Sequence, residues 1–341
     1  MHNNWRTPAV VLICGGAILS LSLGIRHSFG LFLTPMSIEF GWGRETFAFA
    51  IALQNLIWGV SQPFSGAIAD RYGSGRVLIG GALLYVAGLM LMALSHSGLQ
   101  LTASAGILIG LGLSGTSFTI VYGVIGRTFA PEKRSMALGI AGAAGSFGQF
   151  IVLPYGQTLI SNFGWLVSLL VLAVTAVLMA PLASALVEKR EQEHDSVLHQ
   201  PISEALREAT AHKGFWLLCF GFFVCGFQVV FIGVHLPAFL IDRKFPPYVG
   251  TLALALIGLF NIFGTYLFGY LGGRYTKKYL LSAIYILRGV AITIFISLSL
   301  TPLAVYIFAA VMGILWLGTV PLTNGIVAQI FGVRYLSTLF G

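Results

Sequence analysis

Eleven of the 341 residues are Asp or Glu, and each lies in a polar connection or at the end of an apolar run. Three basic side chains, Arg26, His27 and Arg288, instead fall inside apolar runs, with His235 near the end of another. A charge in hydrocarbon costs about 2.5–3.5 kcal/mol or more, so such a residue marks a functional site by default. Cations without a carboxylate at the same depth call for an anionic partner, and a small organic anion is the natural counter-charge. Arg288 lies about 13 Å along its run at 1.5 Å per residue. Its planar fork can hold a carboxylate, or it can snorkel or bond helix carbonyls. His27 can change charge near neutral pH, which would couple an anion to a proton. It is expected in the outer third of its run. Arg26 is turned about 100° from it around a helix, so the two cannot both face one cavity. The uncharged polar residues in the runs are Gln54, Asn55, Gln149, Gln228, Asn261 and Asn324. They can line a cavity or bond one helix to another.

The elements that must position these residues are apolar helices. Runs at about 8–33, 45–69, 77–95, 99–126, 135–160, 164–187, 214–240, 248–272, 279–298 and 302–330 each approach or exceed the length a helix needs to cross a bilayer. The chain is 57% hydrophobic and 9% charged, against about 25% charged in soluble domains. An all-α membrane protein follows, with the lipid bilayer as a partner. Long alternating patterns of barrel strands are missing from the sequence. The net charge of +8 comes from basic residues standing singly between spans, which argues against nucleic acid. Cys14, Cys219 and Cys225 fall in apolar runs without metal-ligand spacing, and packing is their expected role. The first run is too long for a signal peptide and carries no convincing cleavage site.

Charge sets the orientation. Of nineteen Lys and Arg, Arg44, Arg243 and Lys244 fall on one side and Arg26 and Arg288 inside spans. The remaining fourteen share the side of the N-terminus, which is therefore expected in the cytoplasm of an inner cell membrane. The polar stretch 188–213 lies on that side and divides the chain into halves at 1–187 and 214–341.

The halves repeat. Gly66-Ala-Ile-Ala-Asp70-Arg71-Tyr72 reappears as Gly269-Tyr-Leu-Gly-Gly273-Arg274-Tyr275, an offset of 203, with the acidic residue lost. Phe129 to Gly139 corresponds to Phe331 to Gly341 at an offset of 202. An internal duplication explains both. In that register the second copy stops two helices short of the first, so a longer twelve-helix form is expected.

The first of these motifs reads Gly66-x-x-x-Asp70-Arg71-x-Gly73-x-x-Arg76. It is similar to the loop between the second and third helices of the major facilitator superfamily. The resemblance implies two six-helix repeats, about ten of whose helices are present, and makes Gly66, Asp70, Arg71, Gly73 and Arg76 a gating loop. Gly66 would let two helices approach closely. Glu132 to Gly148, with Gly139, Gly142, Gly145 and Gly148 thinning the fifth span, then Pro154, Phe163-Gly-Trp165 and Ser28-Phe-Gly-Leu-Phe-Leu, resembles the monocarboxylate and oxalate transporter group. That alignment puts His27 where animal monocarboxylate carriers have a lysine. Their Asp and Arg, one turn apart in the eighth helix, are here Asn261 and Thr265. A lysine that oxalate-type carriers use in the eleventh helix lies beyond this chain.

The resemblance implies a monomeric secondary transporter of a small anion, with protons as coupling ion and Arg288, His27, Arg26 and Asn261 as substrate ligands. An exporter of larger hydrophobic compounds is the alternative, and a non-transporting receptor a further one. No nucleophile–base set, metal cluster or cofactor motif points to an enzyme.

Overall fold

The structure, a computed structural model, describes residues 6–129, 131–187 and 202–331. Helices follow one another throughout. They are α1 (Pro8–Ser28), α2 (Gly30–Phe40), α3 (Arg44–Tyr72), α4 (Ser74–Ala93), α5 (Gly98–Leu101), a π-helical stretch (Thr102–Leu108), α6 (Ile109–Thr116), α7 (Phe118–Thr128), α8 (Pro131–Val177), α9 (Met179–Ala183), α10 (Ile202–Ala211), α11 (Lys213–Asp242), α12 (Pro247–Arg274), α13 (Lys277–Ser297), α14 (Pro302–Leu315) and α15 (Thr319–Phe331). No strand occurs among the described residues. In hydrocarbon only a helix satisfies every backbone N–H and C=O within its own segment. Seven helices among the described residues are long and apolar enough to cross a membrane. The α3 helix is not among them, because it carries Gln54, Asn55, Gln62 and Ser65 in its middle.

Local chemistry sets the ends. Thr7 caps α1 by accepting from the Val10 N–H, and Pro8 occupies the first turn, where a missing N–H costs nothing. The helix does not stop at residue 33 as expected. It continues through Phe29, still near helical dihedrals, into α2 and ends at left-handed Gly41. The expected gating loop is also mostly helical: Gly66 to Tyr72 form the last turns of α3, and Gly73 alone (φ 97°) separates them from α4.

Gly164 (φ 77°) reverses the chain inside α8. Tyr155 and Thr175 would stand about 30 Å apart in one straight helix, yet their hydroxyls are 3.5 Å apart. The expected fifth and sixth spans are therefore two legs joined by one residue.

By packing, the chain forms two compact units, Met1–Glu188 with Gly233–Gly258, and Lys189–Ile232 with Leu259–Gly341. In the first unit, α1 crosses the first leg of α8 at nearly backbone distance. A Cβ built on Gly24 would stand 2.7 Å from the Gly148 carbonyl, and one on Gly148 would run into the Ser20 backbone. Ser20 Oγ donates to the Ala144 carbonyl at the same crossing. Without a hydrophobic drive in lipid, such small-residue contact is what holds helices together. In the second unit, Phe268, Leu281, Ile284, Leu315 and Leu322 form a core. The large apolar side chains Phe220, Phe223, Phe227 and Phe231 stand exposed along one stripe of α11, a surface suited to lipid rather than water.

The duplication is visible as repeated contacts, each inside one unit. Ser22 and Thr116 hydroxyls lie 2.9 Å apart, and Cys225 Sγ and Thr319 Oγ1 lie 3.2 Å apart. The Tyr85 hydroxyl donates to the Ser22 carbonyl, and Arg288 Nη1 to Cys225 Sγ. Every residue is displaced by 203: 22 to 225, 116 to 319 and 85 to 288.

Of the four glycines expected to thin the fifth span, Gly148 is pressed on α1, whereas Gly139 has nothing within 4 Å of a built Cβ. Gly148→Val must push α1 away, at a cost of about 1–3 kcal/mol. We expect a melting temperature several degrees lower in detergent, with Gly139→Val close to wild type. Equal losses for the two would mean that the α1–α8 contact is not what Gly148 supplies.

Candidate functional site

Polar residues in α3 share one face: Asn55, Trp58, Gln62 and Ser65 follow helical spacing. In the first unit that face meets α1 and the break between α6 and α7. Ser117, extended at φ −95° and ψ −173°, interrupts the two helices. Trp58 Nε1 donates to Ser117 Oγ at 3.2 Å and Gln62 Nε2 to the same oxygen at 2.9 Å. The Ser65 and Ser114 hydroxyls are 2.7 Å apart. These bonds replace, with side chains, part of what the broken helix lacks.

Arg26 lies against the same face. Its Nη2 donates to Asn55 Oδ1, and its guanidinium carbon sits 4.7 Å from the centre of the Trp58 ring. Cation–π contact of this kind strengthens when desolvated. Asn55 Nδ2 in turn donates to the Ile51 carbonyl, which fixes the amide. Among the described residues, Arg26 Nε is buried without a partner and Nη1 meets no acceptor. The group has donors to spare and no carboxylate beside it.

Its depth differs from expectation because α2 prolongs α1. Arg26 stands about 27 Å from Pro8 and about 21 Å from Phe40 along the axis, near the middle of the joined helix. Trp58 is the midpoint of α3. His27, expected in the outer third, shares this middle level. Its Nδ1 lies 2.7 Å from the Leu23 carbonyl. A carbonyl cannot donate, so Nδ1 carries the proton. Nε2 is then an acceptor, buried with no partner among the described residues.

Arg288 is differently placed. It is fully buried, 0% exposed, in the second unit. Nε donates to the Leu315 carbonyl at 2.9 Å, Nη2 to Leu315 at 2.5 Å and to the Trp316 carbonyl, and Nη1 to Cys225 Sγ and Gln228 Oε1 at 3.3 Å each. All five N–H groups of the guanidinium end on protein acceptors. Asn261 is buried too. Its Oδ1 accepts from Thr265 Oγ1 at 3.1 Å and from the Leu317 N–H at 3.0 Å. Thus Asn261 and Thr265, which stand where related carriers have an Asp and an Arg, bond each other.

The expected gating residues are only partly described. Asp70 and Arg71 lie in the last turn of α3, and their side chains fall outside the described residues. Arg76 is exposed. A Cβ on Gly66 would meet only the Thr119 methyl, at 4.0 Å, so in this conformation the position does not require glycine. The second repeat's counterpart at 332–341, most of the connection 188–213 and the side chain of Asn324 also lie outside the described residues.

Sequence reasoning missed three features. Trp58 and Ser117 were signalled by the polar face of α3 and by a serine inside an apolar run. The third is an ion pair between α3 and the end of α11: Arg44 Nη1 and Nη2 donate to the two Asp242 oxygens at 2.6 Å each. It joins residues 198 apart, which no local pattern announces.

The sequence model of the Major Facilitator Superfamily matches residues 12–341. The uncharacterized MFS-type transporter YcxA of Bacillus subtilis (strain 168) is 24% identical over 333 residues, covering 93% of this chain and 79% of YcxA. Monocarboxylate transporter 11 of Mus musculus is 28% identical over 177 residues, 52% of this chain and 39% of its own length. The chain thus spans well under half of that carrier. A bacterial homologue of the human lysosomal transporter Spinster, solved inward-facing and unoccupied, superposes with a TM-score of 0.75 at 17% identity. It covers all of this chain and 78% of the homologue, a likeness of fold.

The Arg44–Asp242 pair is bidentate but about half exposed, at 45% and 49%. Solvent screening holds such pairs to about 0.2–1 kcal/mol. In a double-mutant cycle of melting, Arg44→Ala and Asp242→Ala should each cost that much and the double variant no more than either. Additive losses would show the two residues to be energetically independent.

Proposed function

The chain belongs to the Major Facilitator Superfamily, and from that premise we propose that it is a secondary transporter moving a small organic anion, of the monocarboxylate kind, by alternating access. The halves 1–187 and 214–341 would rock about the substrate, with 188–213 as cytoplasmic linker and the N-terminus inside. The fourteen basic residues on one side support that orientation. So does the family for a multi-pass location in the cell membrane.

The observation that carries the anion is Arg26. It is a cation at the middle of its span, laid over Trp58 and held by Asn55 through one nitrogen only, with its other donors unspent among the described residues. A carboxylate would supply the missing acceptor and the missing charge at once. The distant monocarboxylate relatives point to the same chemistry. We assign the anion to Arg26 ahead of Arg288, whose N–H groups are already occupied.

His27 is the proposed proton carrier. With Nδ1 donating to Leu23, Nε2 is free to take a proton, and the imidazolium so formed would sit one residue from the anion ligand. Proton and anion would then enter together, each reducing the cost of the other. Asp70 keeps its proposed part at the end of α3 in the change between states.

Uptake of a carboxylate panel into vesicles, with and without a pH gradient, tests the proposal. Charge-assisted hydrogen bonds contribute about 1.5–3 kcal/mol, so Arg26→Ala should lower uptake about 10- to 100-fold. Arg26→Lys, which keeps the charge and loses the fork, should fall between. His27→Gln should remove the response to the gradient. Wild-type carboxylate uptake by Arg26→Ala would overturn the anion site and favour an exporter of hydrophobic compounds.

A further inference from the structure

The last span is broken. The α14 helix ends at Leu315 and α15 begins at Thr319, so residues 316–318 interrupt the ladder of backbone hydrogen bonds. Carbonyls at the end of α14 lose the N–H groups that a continuing helix would bring, and lipid supplies no substitute. The side chain that reaches them is Arg288, from the middle of α13. It puts two bonds on the Leu315 carbonyl and one on that of Trp316, while Nη1 ties the group back to Cys225 and Gln228 on α11. The positive charge thus stands at the negative end of the α14 dipole. From the other side, Asn261 on α12 takes the N–H of Leu317 through Oδ1. Each kind of stranded backbone group in the break has a partner, and each partner comes from a different helix.

The first repeat shows why an arginine is needed in one copy only. At the position 203 residues earlier stands Tyr85, which makes the equivalent bond to the Ser22 backbone as Arg288 makes to Cys225. Trp58, 203 residues before Asn261, likewise bonds the break of its own repeat. There the interruption is a single residue, Ser117, between α6 and α7, and neutral donors suffice. In the second copy the interruption is three residues long and strands more carbonyls.

We infer that Arg288 is a positioning residue, the clamp that holds the break at 316–318 and so fixes where α15 leaves α14, with Asn261 as its counterpart on the N–H side. Its charge is spent on the helix end and not on substrate. The clamp does not depend on the anion reading, because it is built wholly inside the second unit from atoms of the chain.

Hydrogen–deuterium exchange of the full chain in nanodiscs, without substrate, tests it. Peptides covering 315–319 and, as the internal control, 115–118 are compared in wild type, Arg288→Gln, Arg288→Lys and Asn261→Ala. Loss of charged donors from the carbonyls should raise exchange at 315–319 about tenfold in Arg288→Gln, the scale of one lost charge-assisted bond. The rise should be smaller in Arg288→Lys, which keeps charge without the fork, and 115–118 should stay at the wild-type rate in both. A general loosening would move both breaks and overturn the clamp, as would wild-type exchange at 315–319. Should Arg288→Gln fail to insert, Arg288→Lys and Asn261→Ala decide: a rise confined to 315–319 in both supports the clamp, and its absence in either overturns it.

Discussion

A backbone amide in hydrocarbon has no water to turn to, and the architecture depends on that. Where the helices are continuous the constraint satisfies itself. Where they break, the chain has to bring a side chain to the gap. Ser117 is met by Trp58 and Gln62 of α3, and 316–318 by Arg288 of α13 and Asn261 of α12. These residues look like ligands by type, yet several are consumed in repairing backbone. Subtracting the repaired breaks from the inventory of membrane-embedded polar groups isolates Arg26 and His27, which retain unspent polar atoms among the described residues.

The same constraint explains how α1 and α8 hold each other. The Gly24, Gly148 and Ser20 backbones come so close that no side chain fits between them. A surface of this kind gives van der Waals contact over its whole length and carries few interlocking side chains. It places Arg26, two residues beyond Gly24, at a fixed height along α1 against the polar face of α3.

Much of this was legible in the sequence, because the controlling signal is composition over twenty residues and a motif of charges at fixed spacing. The helical spans, the family and the duplication follow from such signals, and the repeat offset of 203 reappears in the Ser22–Thr116 and Cys225–Thr319 contacts. The depth of Arg26 was not legible: Phe29 and Pro35 suggest an ending, yet the helix runs on to Phe40. Nor was the state of Arg288. Depth can be counted along a sequence, but whether five donors are satisfied depends on carbonyls twenty-seven residues away that only tertiary packing presents. The Arg44–Asp242 pair was hidden for the same reason.

The reversal at Gly164 bears on how the protein is made. One residue joins the two legs of α8, and Tyr155 already faces Thr175 across the bend. A leg that crossed alone would leave its successor's first turn stranded on the far side with no slack to wait there. The two legs must therefore pass from the insertion machinery into lipid as a single hairpin, and a reporter or epitope spliced at Gly164 would interrupt biogenesis before it could report on topology.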